Sequence, residues 1–210
     1  MADSDEQTER WHRYWNKKSQ SYDREMRFFE RVLFGDSRSW ACSQATGDVL
    51  EVAVGTGLNL DAYPNEVRLT GVDLSEQMLA IAAARARGLG RAADLRHGDA
   101  HALPFDDSSF DTVVCTFGLC AIPDSDAALD EMTRVLRPGG RLILVDHVAS
   151  TSRIARGVQR ALESVTVPMA SEHFLRRPLI KVRQRPFTVE RVERFKLGLV
   201  ERLVARRDAS

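Results

Sequence analysis

Three carboxylates, Glu51, Asp73 and Asp99, lie at or just after the ends of three successive segments with strand-like sequences. The carboxyl ends of parallel strands meet at one edge of an open sheet, and that edge is where such folds bind ligands. Glu51 would repel a phosphate and attract a cation, whereas Asp73 can accept hydrogen bonds from both hydroxyls of a ribose. Asp99 could meet the amino group of an adenine. The three acids predict a pocket for a positively charged nucleoside, a description that S-adenosylmethionine fits.

The glycine turn after the first strand, AVGTGLNL (53–60), narrows the choice of ligand. The dinucleotide fingerprint GxGxxG needs a third glycine for close helix packing and for approach to a pyrophosphate, but Leu60 occupies that position. No Gly-Lys-Ser/Thr follows, so a Walker-type phosphate loop is excluded. A diphosphate ligand is therefore disfavoured.

Apolar, strand-like segments alternate with helix-length segments through the middle of the chain. Because a parallel crossover needs a dozen or more residues, this alternation predicts an α/β fold with a doubly wound, Rossmann-like, mostly parallel sheet. The strand-like segments are VLEVAV, RLTGVDL, DLRHGDA, FDTVVCTFGL and RLILVDHV. Near the end, FTVERVERFKLGLVERLVA predicts an antiparallel hairpin at the sheet edge.

The N-terminal region carries a stripe of large apolar side chains at helical spacing over residues 5–34. It predicts one amphipathic helix, or two with a break near residues 16–21. We expect a helical lid over the ligand with Tyr22 nearest the site, although packing as core is an alternative. The predicted layout is a lid at 1–46, a cofactor-binding core at 47–149, and a substrate-side helix with closing strands of the same domain at 150–210.

The composition is that of a globular protein: 210 residues, 43% hydrophobic and 29% charged. The start lacks the pattern of an export signal, and no apolar stretch reaches the ~20 residues that span a bilayer, so we expect a cytoplasmic location. The three cysteines lack metal or redox spacing and are expected to be reduced. Residues 150–210 hold 14 Lys/Arg against 6 Asp/Glu. This basic region could contact an anionic membrane or an acidic partner, although a solvated surface is the simpler explanation.

Four segments in order resemble the successive motifs of the class I S-adenosylmethionine-dependent methyltransferases. They are LEVAVGTG, GVDLSEQML, GDAHALPFDDSSFDTVV and LDEMTRVLRPGGRLILVDH, and they cover residues 47–149. The combination is more specific than any single glycine pattern.

The resemblance implies S-adenosylmethionine as cofactor and assigns its contacts. The methionyl part would lie at Glu51, Ala53, Gly55, Thr56 and Gly57, the ribose at Asp73, and the adenine beside Leu74, Asp99 and Ala100, with Tyr22, Met78 and Thr116 completing the site. The family usually has glycine where this chain has Ala53, and the extra methyl group should lower cofactor affinity modestly.

The methyl acceptor is left open by three competing resemblances. VVCTFGLCAIPD with RVLRPGG and GTGLNLDAYP resembles the membrane-associated thiol methyltransferases and their bacterial relatives. TFGL with the same helix also resembles quinone C-methyltransferases, and the first motif resembles bacterial phosphatidylethanolamine N-methyltransferases. All imply a small-molecule, apolar or membrane-located acceptor: a thiol, phenol or quinone, or alternatively a phospholipid amine. A base-flipping motif is absent, so a nucleic-acid substrate is not expected.

His147, at the end of the fifth strand, is the candidate general base, because an imidazole titrates near neutral pH. A purely structural role at the strand end is the competing interpretation. His97 and His101 are expected to be structural, and Cys120 to form part of an apolar wall, so no metal site is predicted. A cofactor-binding or scaffold protein without turnover is the alternative to an enzyme, because fold does not fix function.

Overall fold

The computed structural model describes residues 2–170 and 172–209. Its helices are α1 (Ala2–Phe29), a π-helical turn (Glu30–Phe34), α2 (Ser37–Cys42), α3 (Glu76–Leu89), α4 (Ser125–Val135), α5 (Arg153–Ala170) and α6 (Pro178–Val182). Its strands are β1 (Asp48–Val52), β2 (Arg68–Asp73), β3 (Asp94–His97), β4 (Phe110–Thr116), β5 (Leu136–His147), β6 (Phe187–Phe195) and β7 (Val200–Arg207).

The seven strands form one sheet in the order β3-β2-β1-β4-β5-β7-β6. Pairing is parallel from β3 to β5, and β7 then pairs antiparallel with both β5 and β6. The chain order reverses between β1 and β4, which places the switch point of the sheet at the end of β1. The predicted α/β fold with an antiparallel edge hairpin is confirmed.

The core consists of two apolar clusters on opposite faces of the sheet. Because side chains alternate along a strand, neighbours such as Leu142 and Ile143 of β5 enter different clusters. Leu129 and Met132 of α4 cover one face, and Ala41 of α2 covers the other. The central strands are thus buried on both faces, as their continuous apolar sequences predict.

The N-terminal helix is continuous through residues 16–21, so the single-helix alternative is the one observed. The π-helical turn follows directly and brings Phe34 onto the ring of Phe117, with centroids 4.1 Å apart. Farther along, Pro178–Val182 forms a short helix that the predicted layout of the C-terminal region did not include. No helix in the described part of the chain is long and apolar enough to cross a membrane.

Three cations of the basic C-terminal region pair with acids before residue 150. Lys181 lies 2.6 Å from Asp126, Arg185 lies 2.8 Å from Asp130, and Arg202 pairs with Asp36. Arg202 is also buried among rings, 4.7 Å from the centroid of Phe195. Part of the positive charge of this region therefore holds it against the rest of the chain.

Candidate cofactor and acceptor cavities

The turn after β1 is held by Asp73 at the end of β2. One carboxylate oxygen accepts a hydrogen bond from the Gly55 amide at 2.8 Å, and the other accepts from the Ser75 amide at 2.9 Å. Ser75 in turn caps α3 by accepting from the Met78 amide. The turn is tight, because Ala53, Gly55 and Gly57 all have positive φ. Ala53 is thus an alanine in a conformation that favours glycine.

A cavity of about 70 Å³ lies over this turn. Seven of the residues assigned to the cofactor from the sequence line it, namely Tyr22, Ala53, Gly55, Asp73, Leu74, Met78 and Ala100. The remaining lining is mostly apolar or small, and comprises Trp11, His12, Trp15, Val72, Ser75, Gly98, Phe117, Gly118, Ala121 and Ile122. A mostly apolar lining with a few polar groups is typical of cofactor sites.

Five of the assigned residues lie behind the cavity wall and do not line it: Glu51, Thr56, Gly57, Asp99 and Thr116. The packing of Gly57 is too close for a side chain, because a Cβ atom there would lie 2.6 Å from Leu60. Asp99 turns toward His101, accepting hydrogen bonds from its amide and from its ring nitrogen at 2.7 Å. Asp99 therefore orders the loop after β3 in this structure.

A buried polar network lies beneath Tyr22 and Phe117. Asn59 donates to Glu51 at 2.7 Å and to the hydroxyl of Thr116 at 2.9 Å, and its carbonyl accepts from Arg38 at 2.9 Å. Burial raises the pKa of Glu51 to about 7. Oε2 of Glu51 and Nη2 of Arg38 are both buried without a hydrogen-bond partner among the described residues. The network thus holds one unpaired acceptor and one unpaired donor, on residues that do not line the cavity itself.

Arg38 and Asn59 were not identified from the sequence. Arg38 lies outside every motif, on a six-residue helix, and reaches the site only because α2 packs against β4 and β5. It stacks 5.0 Å from the centroid of Phe117. Asn59 gave one weak signal, as a polar residue in the otherwise apolar segment that follows the glycine turn.

The N-terminal helix is fastened over the cavity at two points. Asp23 accepts a hydrogen bond from the hydroxyl of Thr56 at 2.6 Å and pairs with Arg85 of α3. Nearer the N-terminus, the hydroxyl of Ser75 donates to the side chain of Asn16. Between these ties, Trp15 and Tyr22 face the cavity. Thr56, assigned to the cofactor, holds the helix in this structure.

A second cavity, of about 440 Å³, opens between α1, the π-helical turn and α5. Its lining is almost entirely apolar and aromatic: Trp15, Tyr22, Met26, Phe29, Leu33, Phe34, Phe117, Cys120, Ala121, His147, Ala155, Val158, Gln159, Leu162, Glu172, Phe174 and Leu199. Gln159 is fully engaged by Ser150, Val148 and Phe174. His147 and Glu172 remain as the polar groups of this lining that can act on a ligand.

His147 stacks on Phe174 with ring centroids 4.7 Å apart, and its Nδ1 has no partner among the described residues. The adjacent Asp146 accepts hydrogen bonds from the amides of Cys120 and His147, both at 2.8 Å. Side chains of Cys120, Asp146 and His147 have ligand atoms within 4.8 Å of one another. Burial raises the pKa of Glu172, and the charge of His147 acts against that rise.

The two cavities have four lining residues in common, Trp15, Tyr22, Phe117 and Ala121. The cavities therefore adjoin each other, and a ligand in either one would lie next to the same four side chains. By contrast, His97 lies on the outside, with its ring nitrogen 2.9 Å from the carbonyl of Leu74, and His101 is bound to Asp99. Neither histidine lines a cavity.

A family model described as a methyltransferase domain matches residues 50–144. Among curated proteins, a phosphatidylethanolamine N-methyltransferase of Cereibacter sphaeroides is 42% identical over 118 residues. That match covers 55% of this chain and 58% of the relative. A demethylmenaquinone methyltransferase of Staphylococcus epidermidis is 31% identical over 185 residues, covering 83% of this chain and 75% of the relative.

Among solved structures, a SAM-dependent methyltransferase of Thermotoga maritima superposes with a TM-score of 0.70 at 23% identity. The superposition covers 92% of this chain and 100% of that one. At this identity the likeness concerns the fold, and it extends beyond the segment that the family model matches.

Proposed function

We propose that this chain, which belongs to the class I S-adenosylmethionine-dependent methyltransferases, transfers a methyl group from that cofactor. The proposed acceptor is a small, apolar molecule held in the second cavity. The observation that carries this proposal is that the two cavities meet at Trp15, Tyr22, Phe117 and Ala121, which line both of them. When bound, the cofactor supplies an electrophilic methyl group on a sulfonium. The second cavity provides room for a nucleophile next to the same residues, so that it can approach the methyl group directly.

The residues present fit this cofactor. Its amino-acid end carries both an ammonium and a carboxylate, and the chain offers the unpaired Oε2 of Glu51 and the unpaired Nη2 of Arg38. A buried donor or acceptor without a partner is costly, which makes both atoms suited to a ligand. Asp73 would hold the ribose from the floor of the cavity, between Ala53 and Leu74.

The acceptor side of the site contributes positioning, exclusion of water and one base. Aromatic and aliphatic side chains surround the acceptor, so its nucleophilic atom is held with little solvent around it. His147 offers an unpaired ring nitrogen that can take the acceptor's proton. A thiol that ionises near neutral pH would need this base least, and a phenol or an enol carbon would need it most.

The lining favours a thiol, phenol or quinone-like acceptor over a strongly polar one. The likeness to a demethylmenaquinone methyltransferase supports this class. A second candidate is an amine, such as that of phosphatidylethanolamine. It is favoured by the carboxylate of Glu172, which could pair with an ammonium inside the cavity, and by the 42% identical relative.

A labelled-methyl transfer screen tests these alternatives with the same protein preparation. The panel comprises small thiols, phenols, demethylquinones and phosphatidylethanolamine vesicles, and cofactor binding is measured in parallel by calorimetry. We expect transfer to an apolar acceptor that His147→Ala lowers about a hundredfold or more for a phenol, while cofactor affinity is unchanged. If only the amine is methylated and Glu172→Gln abolishes that transfer, the second candidate is correct. Cofactor binding without transfer to any acceptor would favour the scaffold alternative.

A further inference from the structure

We propose that the mouth of the acceptor cavity docks on the surface of an anionic phospholipid bilayer, from which the acceptor enters. The inference deepens the proposed function, on which it rests for the apolar character of the acceptor. Its support is the combination of exposed apolar side chains and unpaired arginines around this mouth.

The mouth is defined by side chains that both line the cavity and are exposed. These are Phe29 at the end of α1 and Val158 and Leu162 on α5. Val158 is 57% exposed although it lines an apolar cavity. The cavity therefore opens to the outside between the two helices, and its rim is apolar.

The apolar surface continues outward beyond the rim. Phe28 is 61% exposed on one side, one turn before Val32, and Ile154 at the start of α5 is 83% exposed on the other, with Val165 farther along the same helix. Leu197, in the β6–β7 turn, is a neighbour of α5, because its carbonyl accepts hydrogen bonds from Thr151 and from the hydroxyl of Ser150. A contiguous exposed apolar surface of this kind marks an interaction site.

Arginines stand next to this apolar surface. On α1 and the π-helical turn, Arg24, Arg27 and Arg31 are exposed within about one turn of Phe28, and on α5 Arg153 and Arg160 are exposed. None of the five forms an ion pair with a residue that the structure describes.

The acids of α1 and the π-helical turn are already paired: Asp23 with Arg85, Glu25 with Lys18 at 2.5 Å, and Glu30 with Arg38 at 2.5 Å. On the α5 side, Glu163 accepts a hydrogen bond from the Leu175 amide and Glu172 lines the cavity. Two carboxylates against five arginines leave the rim with net positive charge. A positive rim around an apolar opening complements an anionic lipid surface, where arginines meet headgroups and apolar side chains enter the acyl boundary. Two copies of the chain meeting through this face would bring like charges together, which disfavours a dimer.

Co-sedimentation with vesicles tests the proposal without any methyl transfer. The full chain is mixed with vesicles of phosphatidylcholine alone or of phosphatidylcholine with phosphatidylglycerol. We expect binding to the anionic vesicles that weakens as salt is added. Replacing Arg24 and Arg31 by Gln should weaken the partition about fivefold per arginine, and Phe28→Ser with Ile154→Ser should weaken it about tenfold or more.

Matched controls lie elsewhere on the surface. Arg183 and Leu89 are exposed and outside both cavities, so Arg183→Gln and Leu89→Ser should leave vesicle binding unchanged. Cofactor affinity, measured by calorimetry, should be equal in all variants, which shows that each one is folded.

Three results would overturn the proposal: no binding to anionic vesicles, equal binding to both kinds of vesicle, or an equal loss in the control variants. A dimer in sedimentation velocity that Ile154→Ser dissociates, in a chain that ignores vesicles, would assign the face to a second copy. Because transfer to a soluble acceptor is measured separately, the docking surface and the proposed function can each fail alone.

Discussion

Glu51 is a carboxylate on a fully buried strand, with one of its oxygens unpaired among the described residues. Burial raises its pKa to about 7 because the charged form loses its hydration. A cationic group placed beside it would favour the ionised form. The cationic group of the proposed cofactor would thus offset part of the desolvation free energy of this buried carboxylate.

This raised pKa predicts a pH-dependent cofactor affinity. Below about pH 7 Glu51 must lose a proton before its carboxylate can pair with the cofactor's ammonium. The dissociation constant of the cofactor should therefore rise by up to about tenfold for each unit by which the pH is lowered. Calorimetry across neutral pH checks the slope. Glu51→Gln should bind more weakly at alkaline pH and show a flat profile, and a sloped profile in that variant would assign the proton to another group.

The same shift predicts the stability of the cofactor-free chain. Between the ordinary value of 4.5 and about 7, folded Glu51 keeps a proton that the unfolded chain has lost, so stability falls as the pH rises. The difference corresponds to up to about 3 kcal/mol. Glu51→Gln should therefore raise the free energy of unfolding at alkaline pH and leave it nearly unchanged near pH 4. A loss of stability at alkaline pH would contradict this.

Ala53 and Gly118 form a complementary pair. The φ of Ala53 is 58°, and a Cβ atom built on Gly118 would lie 2.8 Å from the Cβ of Ala53. Alanine thus replaces the family's usual glycine at position 53, and the residue that faces its methyl group, Gly118, has no side chain. The expected modest loss of affinity remains a prediction.

A double-mutant cycle tests this pairing. Ala53→Gly should stabilise the chain by about 0.5–1 kcal/mol, because relief of the left-handed alanine exceeds the added entropy of the unfolded state. Gly118→Ala should destabilise it by about 1–3 kcal/mol, and the loss should be smaller in the Ala53→Gly background. Additive effects in urea unfolding would show that the two positions are independent.

The acids at the strand ends could be predicted from the sequence, because their place depends on the order of local motifs. Arg38 could not, because its role depends on how a short helix packs against distant strands. The orientation of Asp99 toward His101 could not be predicted either. The sequence does not show whether this carboxylate binds a ligand or a residue two positions away.

At the scale of elements, α1 acts as a cover fastened by Asp23 and Asn16. We expect Asp23→Ala to loosen the central part of α1 and to speed dissociation of the cofactor several-fold. The substitution removes both the hydrogen bond from Thr56 and the ion pair with Arg85. Stopped-flow displacement and hydrogen exchange of α1 measure the two effects. Glu25→Ala is the control, since Glu25 pairs with Lys18 within α1 itself. Equal rates for both variants would mean that α1 is held by its aromatic packing alone.

The elements with regular apolar patterns were predictable, and the irregular ones were not. Strands β1, β4 and β5 follow from their apolar runs, because burial on both faces dictates the sequence. The π-helical turn has no sequence signal of this kind, because it widens one turn of a helix without interrupting the apolar stripe. Region 171–186, which has no strong period, contributes Glu172 and Phe174 to the acceptor cavity.

At the scale of the molecule, the C-terminal hairpin is part of the core. Val200, Leu203 and Ala205 of β7 are fully buried, and β7 pairs with β5 along seven residues. A chain ending after Pro186 would expose the edge of β5 and a large apolar surface. We expect it to aggregate, whereas the full chain remains in solution. Analytical ultracentrifugation of both forms checks this, and a monomeric truncated chain with native circular dichroism would contradict it.

The positions of the two openings impose an order on catalysis. In the proposed arrangement the cofactor would lie beneath α1, which would have to lift for exchange, whereas the acceptor would enter between α1 and α5 with α1 in place. The cofactor should therefore bind first, and its demethylated product should leave last. In initial-rate kinetics, that product should compete with the cofactor alone, so that turnover in the cell follows the ratio of methylated to demethylated cofactor more closely than the supply of acceptor.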